Sequence, residues 1–482
     1  MNERRTYHSA VRTTVERELK LDVNGAFALP ELPGSPLPER IFTSTYHDTP
    51  ARSLGRAGIT LRRRVESGTS LWQLKLPRAD DRTERTELEE AGGPGGPPPE
   101  LARLLVAHER HGRLEPVATL RTRRTGVRVE NEGRAVADVT VDEVTVLSAE
   151  REVDGFTELE VELVEAGDTP DLRRLGRVLR DAGARESSGE PKLMRVLELP
   201  VTPAPKRKAP LHEHVRHAFE LQLAELEARD PGVRLGGDPE DLHALRVATR
   251  RARALIRATQ PLLGDRLTAL GEELQILGGL LGAVRDFDVL IEHLRPEVAD
   301  LDVDRPQGEG LLTALAAERA ARRDELLAAM ETPRYTNLLA AFRSAIDGID
   351  RFDEDVAAGQ LAKCALRKLR RAAAIPADAA DEELHKLRIR AKRARYAAEL
   401  AALGGGKAPA RSVEAFKKLQ DVIGEHQDAV VAEEQLRRVA LPETHAAAGR
   451  LIERERRRKL EMRARYPKAL RAALRKGKKA FP

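Results

Sequence analysis

The segment VERELKLDV, residues 15–23, constrains the fold of the first part of the chain more than any other feature. Written as a β-strand, it places Glu16, Glu18 and Lys20 on one face, because side chains alternate with period two. The opposite face includes Leu19 and Leu21. A strand face that mixes carboxylates with an ammonium group is either solvated at a sheet edge or directed at a polar interior. The remaining strands decide between these two interpretations.

Other segments of the first 200 residues repeat this alternation. The polar faces of LRRRV, LWQLKLP and FTELEVELVE hold Arg62 and Arg64, Gln73 and Lys75, and Glu158, Glu160 and Glu162. The charges are segregated by kind, with Glu-x-Glu on some strands and Arg-x-Arg or Lys on others, whereas solvent-exposed charges are chosen almost freely. A sheet that closes into a barrel turns such faces inward around a polar lumen. Water, metal ions or a polyanion must then offset the buried charges.

The ERELK motif resembles the Glu-x-Glu-x-Lys motif that opens the CYTH family of triphosphate tunnel metalloenzymes. Further motifs follow in the order of that family: YHDTPARSL, LRRR, Lys75 before a proline, RTELEE, ELEVEL and the late Lys192. The resemblance covers residues 11–200. It implies an α+β domain built on an eight-stranded antiparallel tunnel, in which acidic residues hold Mg²⁺ or Mn²⁺ and basic residues hold a triphosphate.

The resemblance also implies roles for individual residues. The implied catalytic residues are Glu16, Glu18, Lys20, Arg62, Arg64 and Lys75. The implied triphosphate contacts are Lys20, Arg62, Arg64, Lys75, Arg85, Arg121, Arg124 and Lys192, of which Arg121 requires a bulge to join the charged face. The implied metal ligands are Glu16, Glu18, Asp142, Glu158 and Glu160. These residue types suit phosphoryl transfer, where cations contact phosphate oxygens and carboxylates bind hard divalent metals. Gln73 stands where the family often has threonine, which leaves substrate preference open.

The second half of the chain has a different pattern. The proline-rich segment PVTPAPKRKAP, residues 200–210, is typical of a stiff linker, so we predict domains at residues 1–200 and 211–482 joined by 201–210. Beyond it the pattern is helical and contains a repeat. DLHALRVATRRARAL aligns with ELHKLRIRAKRARYA, and 142 residues separate His243 from His385. The same offset aligns LLGAVRD with VIGEHQD, so we infer two copies of a helical unit.

Each copy places basic side chains along one face of a helix. The two stripes contain His243, Arg246, Arg250, Arg251 and Arg253, and His385, Arg388, Lys392, Arg393 and Arg395. Facing stripes concentrate a linear polyanion, with an affinity that falls as salt rises. This half resembles the CHAD domain over residues 211–460, which implies an all-α domain of two four-helix bundles that binds polyphosphate. Aromatic side chains are nearly absent from the stripes, so single-stranded nucleic acid matches them less well.

Composition limits location and chemistry. The 83 Lys and Arg against 78 Asp and Glu indicate basic clusters among acidic ones, and the single cysteine, Cys364, excludes internal disulfides. The first ten residues lack an apolar export segment and no apolar run is long enough for a bilayer, so we expect a cytoplasmic protein associated with polyphosphate granules. The segment Glu453–Lys479 contains 13 Lys and Arg against three Glu. It is interpreted either as a terminal helix that adds attraction for polyanions or RNA, or as a solvated, frayed helix.

Three functions follow from these patterns. The first is metal-dependent hydrolysis of inorganic triphosphate or short polyphosphate, with polyphosphate binding by the helical half. The second is a polyphosphate-binding scaffold whose tunnel has no catalytic activity. The third is hydrolysis or cyclisation of an organic triphosphate, such as ATP or thiamine triphosphate, and it ranks lowest because no base-recognition pocket is evident.

Overall fold

A computed structural model describes residues 11–24, 27–78, 84–164, 166–187, 191–200, 203–206, 208–350, 358–375, 379–403 and 407–482. The first ten residues, on which part of the location argument rests, lie outside these ranges. The chain forms two compact units. The first comprises Met1–Thr202 with Glu227–Asp241, a segment that the sequence boundaries place in the helical domain, and the second comprises Pro203–Leu226 with Leu242–Pro482.

The first unit is a closed antiparallel barrel of eight strands. The strands are β1 (Arg12–Asp22), β2 (Gly34–Asp48), β3 (Thr60–Glu66), β4 (Thr69–Pro77), β5 (Glu84–Ala91), β6 (Glu115–Asn131), β7 (Arg134–Ser148) and β8 (Arg151–Leu163), and a short β9 (Arg185–Glu186) adds to the end of β1. Their order is β5-β4-β3-β2-β6-β7-β8-β1. The barrel closes because β1 pairs with β5 over its first half and with β8 over its second. The predicted fold class is confirmed.

Short helices pack against the barrel, most of them on its outside and the last at one end of its interior. They are α1 (Ser53–Arg56), α2 (Pro99–Ala102), α3 (Val106–Glu109), α4 (Thr169–Asp181) and α5 (Lys192–Val196). Leu21 of β1 and Val161 of β8 pack outward against Leu175 of α4, while Trp72 of β4 packs outward near Leu101 of α2. Because alternate residues point to opposite faces, this outward apolar packing directs the charged residues of the same strands into the barrel.

An apolar plug closes one end of the barrel interior. Leu193 of α5 packs against Tyr46, Leu120 and Val144, which are buried residues of β2, β6 and β7. Leu120 and Val144 lie on the same strand faces as the charged interior residues of β6 and β7. The interior is therefore a polar cavity with one apolar, helix-covered end.

The YHDTPARSL motif forms the connection between β2 and β3. The buried Asp48 carboxylate accepts hydrogen bonds from the backbone N–H groups of Thr49, Leu54 and Gly55, at 2.6, 3.0 and 2.9 Å. These bonds satisfy backbone donors at the start of α1, which a four-residue helix cannot satisfy internally. Asp48 therefore fixes this turn, and its carboxylate does not belong to the barrel interior.

The second unit is all-helical. Its α-helices are α6 (Leu211–Leu235), α7 (Pro239–Leu263), α8 (Thr268–Ala299), α9 (Arg305–Met330), α10 (Pro333–Asp347), α11 (Ala358–Ala372), α12 (Asp381–Leu403), α13 (Lys407–Val439) and α14 (His445–Ala480). Helices α6–α9 correspond in order to α11–α14, and α10 connects the two sets. None of the described helices contains a stretch that is long and apolar enough to cross a bilayer.

Two apolar cores hold the repeated helices together. One core lies within the second copy and includes Leu366, Leu387, Phe416 and Tyr466 from its four helices. Another joins α8 and α9 to α13 and α14. The basic segment Glu453–Lys479 is part of α14, and Tyr466 and Leu470 within it are buried in the core. The interpretation of this segment as a solvated, frayed helix is therefore wrong, because apolar packing fixes it to the bundle. The interpretation as an added attraction for a polyanion or RNA stays a prediction.

Candidate functional site

The Glu-x-Glu-x-Lys motif of β1 lies inside the barrel. Lys20 Nζ is 3.0 Å from Glu160 Oε1 and 3.6 Å from Glu18 Oε1, and it also approaches Glu158 at 3.8 Å. Burial opposes the charge of Lys20, yet Glu160 and Glu18 raise its pKa above the ordinary value. The strands β1 and β8 therefore present a carboxylate cluster around a permanently charged ammonium group.

Lys192 enters the same cluster from α5. Its Nζ lies 3.0 Å from Asp142 Oδ2, 2.5 Å from Glu158 Oε2 and 2.6 Å from Glu160 Oε1. Burial disfavours ionisation of Glu160, but Lys192 and Lys20 outweigh burial and hold its pKa well below the ordinary value. Lys192 also outweighs burial at Asp142 and lowers its pKa, whereas burial raises the pKa of Glu158. Glu160 and Asp142 are therefore ionised and balanced by ammonium groups.

Arg124 of β6 completes this level. It donates two hydrogen bonds to Asp142, at 2.7 and 2.6 Å, and a third to Glu160 at 2.5 Å. The bidentate geometry is the one in which a guanidinium also binds phosphate. Parity along β6 predicted this inward position for Arg124.

A second carboxyl group cluster surrounds Lys75 of β4. Lys75 forms ion pairs with Glu16 and with Glu87, the latter at 3.6 Å. Burial and a hydrogen bond with Glu87 raise the pKa of Glu16 to about 7, against the effect of Lys75. Burial and the charge of Glu16 also raise the pKa of Glu162 to about 7. Carboxyl groups exceed cations here, so the cluster retains protons near neutral pH.

Sequence reasoning assigned no role to Glu87 or Glu162. Both lie on interior faces, and both belong to quoted motifs, RTELEE and ELEVEL. Parity alone could have identified Glu162, because it continues the Glu-x-Glu series of β8. The position of Glu87 beside Lys75 depends on the register between β4 and β5.

The remaining predicted phosphate contacts from β3 and β5 also face the interior. Arg62 donates hydrogen bonds to Gln73 Oε1 at 2.7 Å and to Tyr46 Oη at 3.2 Å. Arg64 pairs with Glu66 at 2.5 Å, and Arg85 Nε lies 3.6 Å from Glu18 Oε1. Gln73, the departure from the family pattern, thus positions an arginine.

The structure contradicts the prediction that Arg121 contacts the triphosphate inside the barrel. Its side chain is half exposed and its nearest carboxylate is Glu152 at 4.0 Å, so it lies on the outer face of β6. The bulge that it requires is absent, because Arg121 pairs in regular register with Thr43 and with Thr145. Because alternate residues of a strand point to opposite faces, Arg121 points away from the interior while Arg124, three residues later, points into it.

The interior donor set suits a hard divalent cation. Oxygen atoms are the ligands that Mg²⁺ and Mn²⁺ prefer, and the predicted ligands Glu16, Glu18, Asp142, Glu158 and Glu160 supply only oxygen. Glu158 Oε1 is buried and accepts no hydrogen bond from a described residue, although Arg195 lies 3.5 Å away, and burial raises the pKa of this residue. A metal cation bound nearby would pair with this oxygen and would lower the pKa of Glu158. Within the described ranges no three Asp, Glu, His or Cys residues are arranged to hold a metal as they stand, because lysines occupy the centre of the cluster.

The second unit contains a basic groove between the two repeated helices α7 and α12. It encloses a cavity of about 620 Å³, to which Arg246, Arg250 and Arg253 contribute from the first copy and Lys392 and Arg393 from the second. No acidic side chain is among the described residues that line it. Three cations that sequence reasoning missed also line the groove: Arg257, Lys368 and Arg390.

Ion pairs among the described residues leave most of the charge of the groove unbalanced. Arg246 pairs with Asp286, but no described residue forms an ion pair with Arg250, Arg253, Lys392 or Arg393. Burial, and then the guanidinium groups of Arg388 and Arg250, lower the pKa of Lys392 to about 7. Burial likewise lowers the pKa of Arg250, whose Nε has no hydrogen-bond partner among the described residues. The buried hydroxyl of Tyr396, which lines the groove, is also without a partner there. These groups provide donors for an anion.

The other stripe residues do not line this cavity. They are His243, Arg251, His385, Arg388 and Arg395. Arg246 forms an ion pair with Asp286, the last residue of the aligned segment LLGAVRD, at 2.9 Å. A Cβ added at Gly282 or Gly424 would contact the guanidinium of Arg246 or Arg388, at 3.6 and 3.5 Å. These are ordinary van der Waals distances, so each aligned glycine lies directly beside its arginine.

Comparison with known proteins assigns both units. The model of the CYTH domain matches residues 14–190, and the model of the CHAD domain matches residues 217–437. A protein of Mycobacterium tuberculosis is 32% identical to this chain over an alignment of 518 positions, gaps included. The alignment covers 97% of this chain and 97% of the other. PptA from Streptomyces chartreusis aligns with 55% of this chain and all of its own, at 21% identity and a TM-score of 0.46. The CHAD domain from Ricinus communis aligns with 57% of this chain and 95% of its own, at 26% identity and a TM-score of 0.47.

Proposed function

This chain belongs to the family of proteins in which a CYTH domain is followed by a CHAD domain, and we propose that it is a metal-dependent triphosphatase. The barrel hydrolyses inorganic triphosphate or short polyphosphate, and the helical unit binds polyphosphate. The observation that supports this most is the convergence of ionised carboxylates and cations in one closed interior, around Lys20, Lys192 and Arg124.

The interior cations bind the phosphate chain. Lys20, Lys75 and Lys192 are fully charged at neutral pH, because neighbouring carboxylates outweigh burial and raise their pKa values. The guanidinium groups of Arg62 and Arg124 provide planar forks that match phosphate oxygens. Together these groups stabilise the charge that develops on the phosphates in the transition state.

The interior carboxylates bind the metal and accept protons. When bound, Mg²⁺ or Mn²⁺ neutralises phosphate charge and lowers the pKa of a water molecule. Glu162 is not a proposed metal ligand, and burial raises its pKa to about 7, so it can accept a proton from water at physiological pH. The plug formed by Leu193 excludes water from one end of the cavity.

One observation favours the scaffold as a second candidate. Asp142, Glu158 and Glu160, three of the proposed metal ligands, are ion-paired with Lys192. If this ammonium group retained its position with phosphate bound, no metal would enter, and the barrel would bind triphosphate without hydrolysing it.

Phosphate release from tripolyphosphate tests the proposal. The full chain is expected to release orthophosphate with Mg²⁺ or Mn²⁺ and to stop when EDTA is added. The double variant Glu16→Ala with Glu18→Ala is expected to lose about 100-fold or more of this activity, because it removes metal ligands. ATP and thiamine triphosphate in the same panel test the organic alternative.

A matched control removes two carboxylates from the outside of the barrel. Glu39 and Glu143 both pair with the exposed Arg123, so Glu39→Ala with Glu143→Ala should leave phosphate release unchanged. Equal activity of the Glu16 and Glu18 variant and of the wild type would refute the proposal. Tight triphosphate binding without turnover by any metal would establish the scaffold.

A further inference from the structure

We propose a second polyphosphate-binding surface on the outside of the second helical copy, which continues the groove. We call it the basic belt and define it by Arg367 and Arg371 of α11 and by Lys468, Arg471 and Arg475 of α14. The proposal rests on the proposed binding of polyphosphate in the groove and extends it: the belt selects chains that are longer than the groove.

The belt has no counter-charge of its own. Helix α11 contains no Asp or Glu, and α14 contains none after Glu461. All five belt side chains are exposed, and none forms an ion pair with a described residue. Some exposed cations elsewhere on this unit are paired, as Arg334 is with Glu273 at 2.7 Å. The belt is therefore an unbalanced positive surface, which attracts a polyanion.

The belt is continuous with the groove. Helix α11 contributes Leu361, Cys364 and Lys368 to the groove lining. These residues recur at spacings of three and four and so lie on one face of the helix. Arg371, three residues after Lys368, extends this face, and Arg367 begins the adjacent exposed face. A chain that leaves the groove at Lys368 therefore meets the belt within one helical turn.

Close packing brings α14 next to α11. A Cβ added at Gly477 of α14 would lie 2.8 Å from Leu366 of α11, so a side chain here would separate the helices. The cations of α14 occupy its exposed half, because Tyr466, Leu470 and Ala473 face the core. From Lys468 to Arg475 they span about 10 Å along the helix axis, at 1.5 Å per residue.

The chemistry of the belt matches a phosphate chain better than bases. Sequence-tolerant binding of single-stranded nucleic acid relies on aromatic platforms. The aromatic residues of α14 and its end, Tyr466 and Phe481, are buried in the core. The five belt side chains are lysine and arginine, which bind phosphate oxygens and provide no platform for a base.

The test compares polyphosphates of two lengths on three full-length variants. The belt variant changes all five belt residues to alanine. A control variant changes five exposed, ion-paired cations of the same unit to alanine: Arg305, Arg322, Arg334, Lys386 and Arg437. The groove variant combines Arg250→Ala with Lys392→Met. Titration calorimetry at several salt concentrations measures affinity for long-chain and for short-chain polyphosphate.

We expect the belt variant to bind long chains about tenfold more weakly, with a shallower dependence of affinity on salt, because fewer counterions are released. Its affinity for short chains and its hydrolysis of tripolyphosphate should match the wild type, and the control variant should match it throughout. Unchanged long-chain affinity of the belt variant would overturn the inference. A parallel titration with duplex RNA would also overturn it if the belt variant lost affinity for the RNA alone. Unchanged binding of both lengths by the groove variant would instead refute the proposed function of the groove.

Discussion

Replacement of Lys192 by methionine is expected to lower the free energy of unfolding of the barrel by about 3–5 kcal/mol at neutral pH without metal. The ammonium group lies within 3.0 Å of three carboxylates, and two of them, Asp142 and Glu158, are completely buried. Methionine fills a similar volume but leaves this charge unbalanced. A buried ion cluster loses far more from removal of one partner than from removal of both.

Urea unfolding followed by tryptophan fluorescence measures this loss in the barrel alone. Trp72 is the single tryptophan. It belongs to β4 and is fully buried on the outer face of that strand. In the Lys192→Met background, Glu160→Gln is expected to restore part of the stability, because it removes one unbalanced charge. Added Mg²⁺ should also restore part of it, since a divalent cation can replace the ammonium group.

The control is Arg123→Met, which removes an exposed ion-paired cation from the outside of the same barrel. Its expected cost is below about 1 kcal/mol. If Lys192→Met unfolded at the same urea concentration as Arg123→Met, Lys192 would not be balancing the charge of the three buried carboxylates around it. That result would contradict the description of the barrel interior.

Replacement of Lys392 by methionine is expected to have opposite effects on stability and binding. Burial and neighbouring arginines destabilise the charged form of this lysine, so the variant should raise the free energy of unfolding of the helical unit by about 1–2 kcal/mol at pH 7. The same change removes a donor from the groove and should weaken polyphosphate binding about tenfold or more. Far-UV circular dichroism in urea and titration calorimetry measure the two effects.

The pH dependence has a defined sign. The pKa of Lys392 is about 7 in the folded protein and near 10.5 in the unfolded chain. Between these values the unfolded state binds the extra proton, so this lysine makes stability increase as pH rises through that window. The Lys392→Met variant should lack this increase. Polyphosphate restores the charge of Lys392, so binding near pH 8 should take up a proton, seen as a dependence of the binding heat on the buffer.

A control on the same helix is Lys386→Met. Lys386 is exposed and pairs with Glu383 at 2.9 Å, so its replacement should change stability by less than about 0.5 kcal/mol and leave binding intact. Destabilisation by Lys392→Met, or unchanged polyphosphate affinity, would contradict the description of the groove as uncompensated positive charge.

Side-chain parity predicted most of the barrel interior. The interior residues of β1, β3, β4 and β8 follow from alternation, because a one-residue shift would expose every apolar partner on the outer face. Arg121 shows the limit of this reasoning. Whether a strand contains a bulge depends on pairing with its neighbours, and β6 has regular pairs at this position.

The long-range contacts were not accessible from the sequence. The motif order predicted that Lys192 belongs to the site, but only packing of α5 shows that it neutralises three proposed metal ligands. In the helical unit, the stripes were evident from spacing, whereas Lys368 belongs to no motif. It joins the groove because α11 packs beside the repeated helices, which is a property of the tertiary fold.

A crystal structure of the full chain with tripolyphosphate and Mn²⁺ tests the central claim most directly, because anomalous scattering locates the metal independently of the model. We expect a manganese peak inside the barrel on the oxygens of Glu16, Glu18, Glu158 or Glu160, with phosphates on Lys20, Arg62 and Arg124. Lys192 should then have moved from the carboxylates toward phosphate. Manganese and phosphate bound only outside the barrel, with Lys192 still paired to Asp142, would contradict the account.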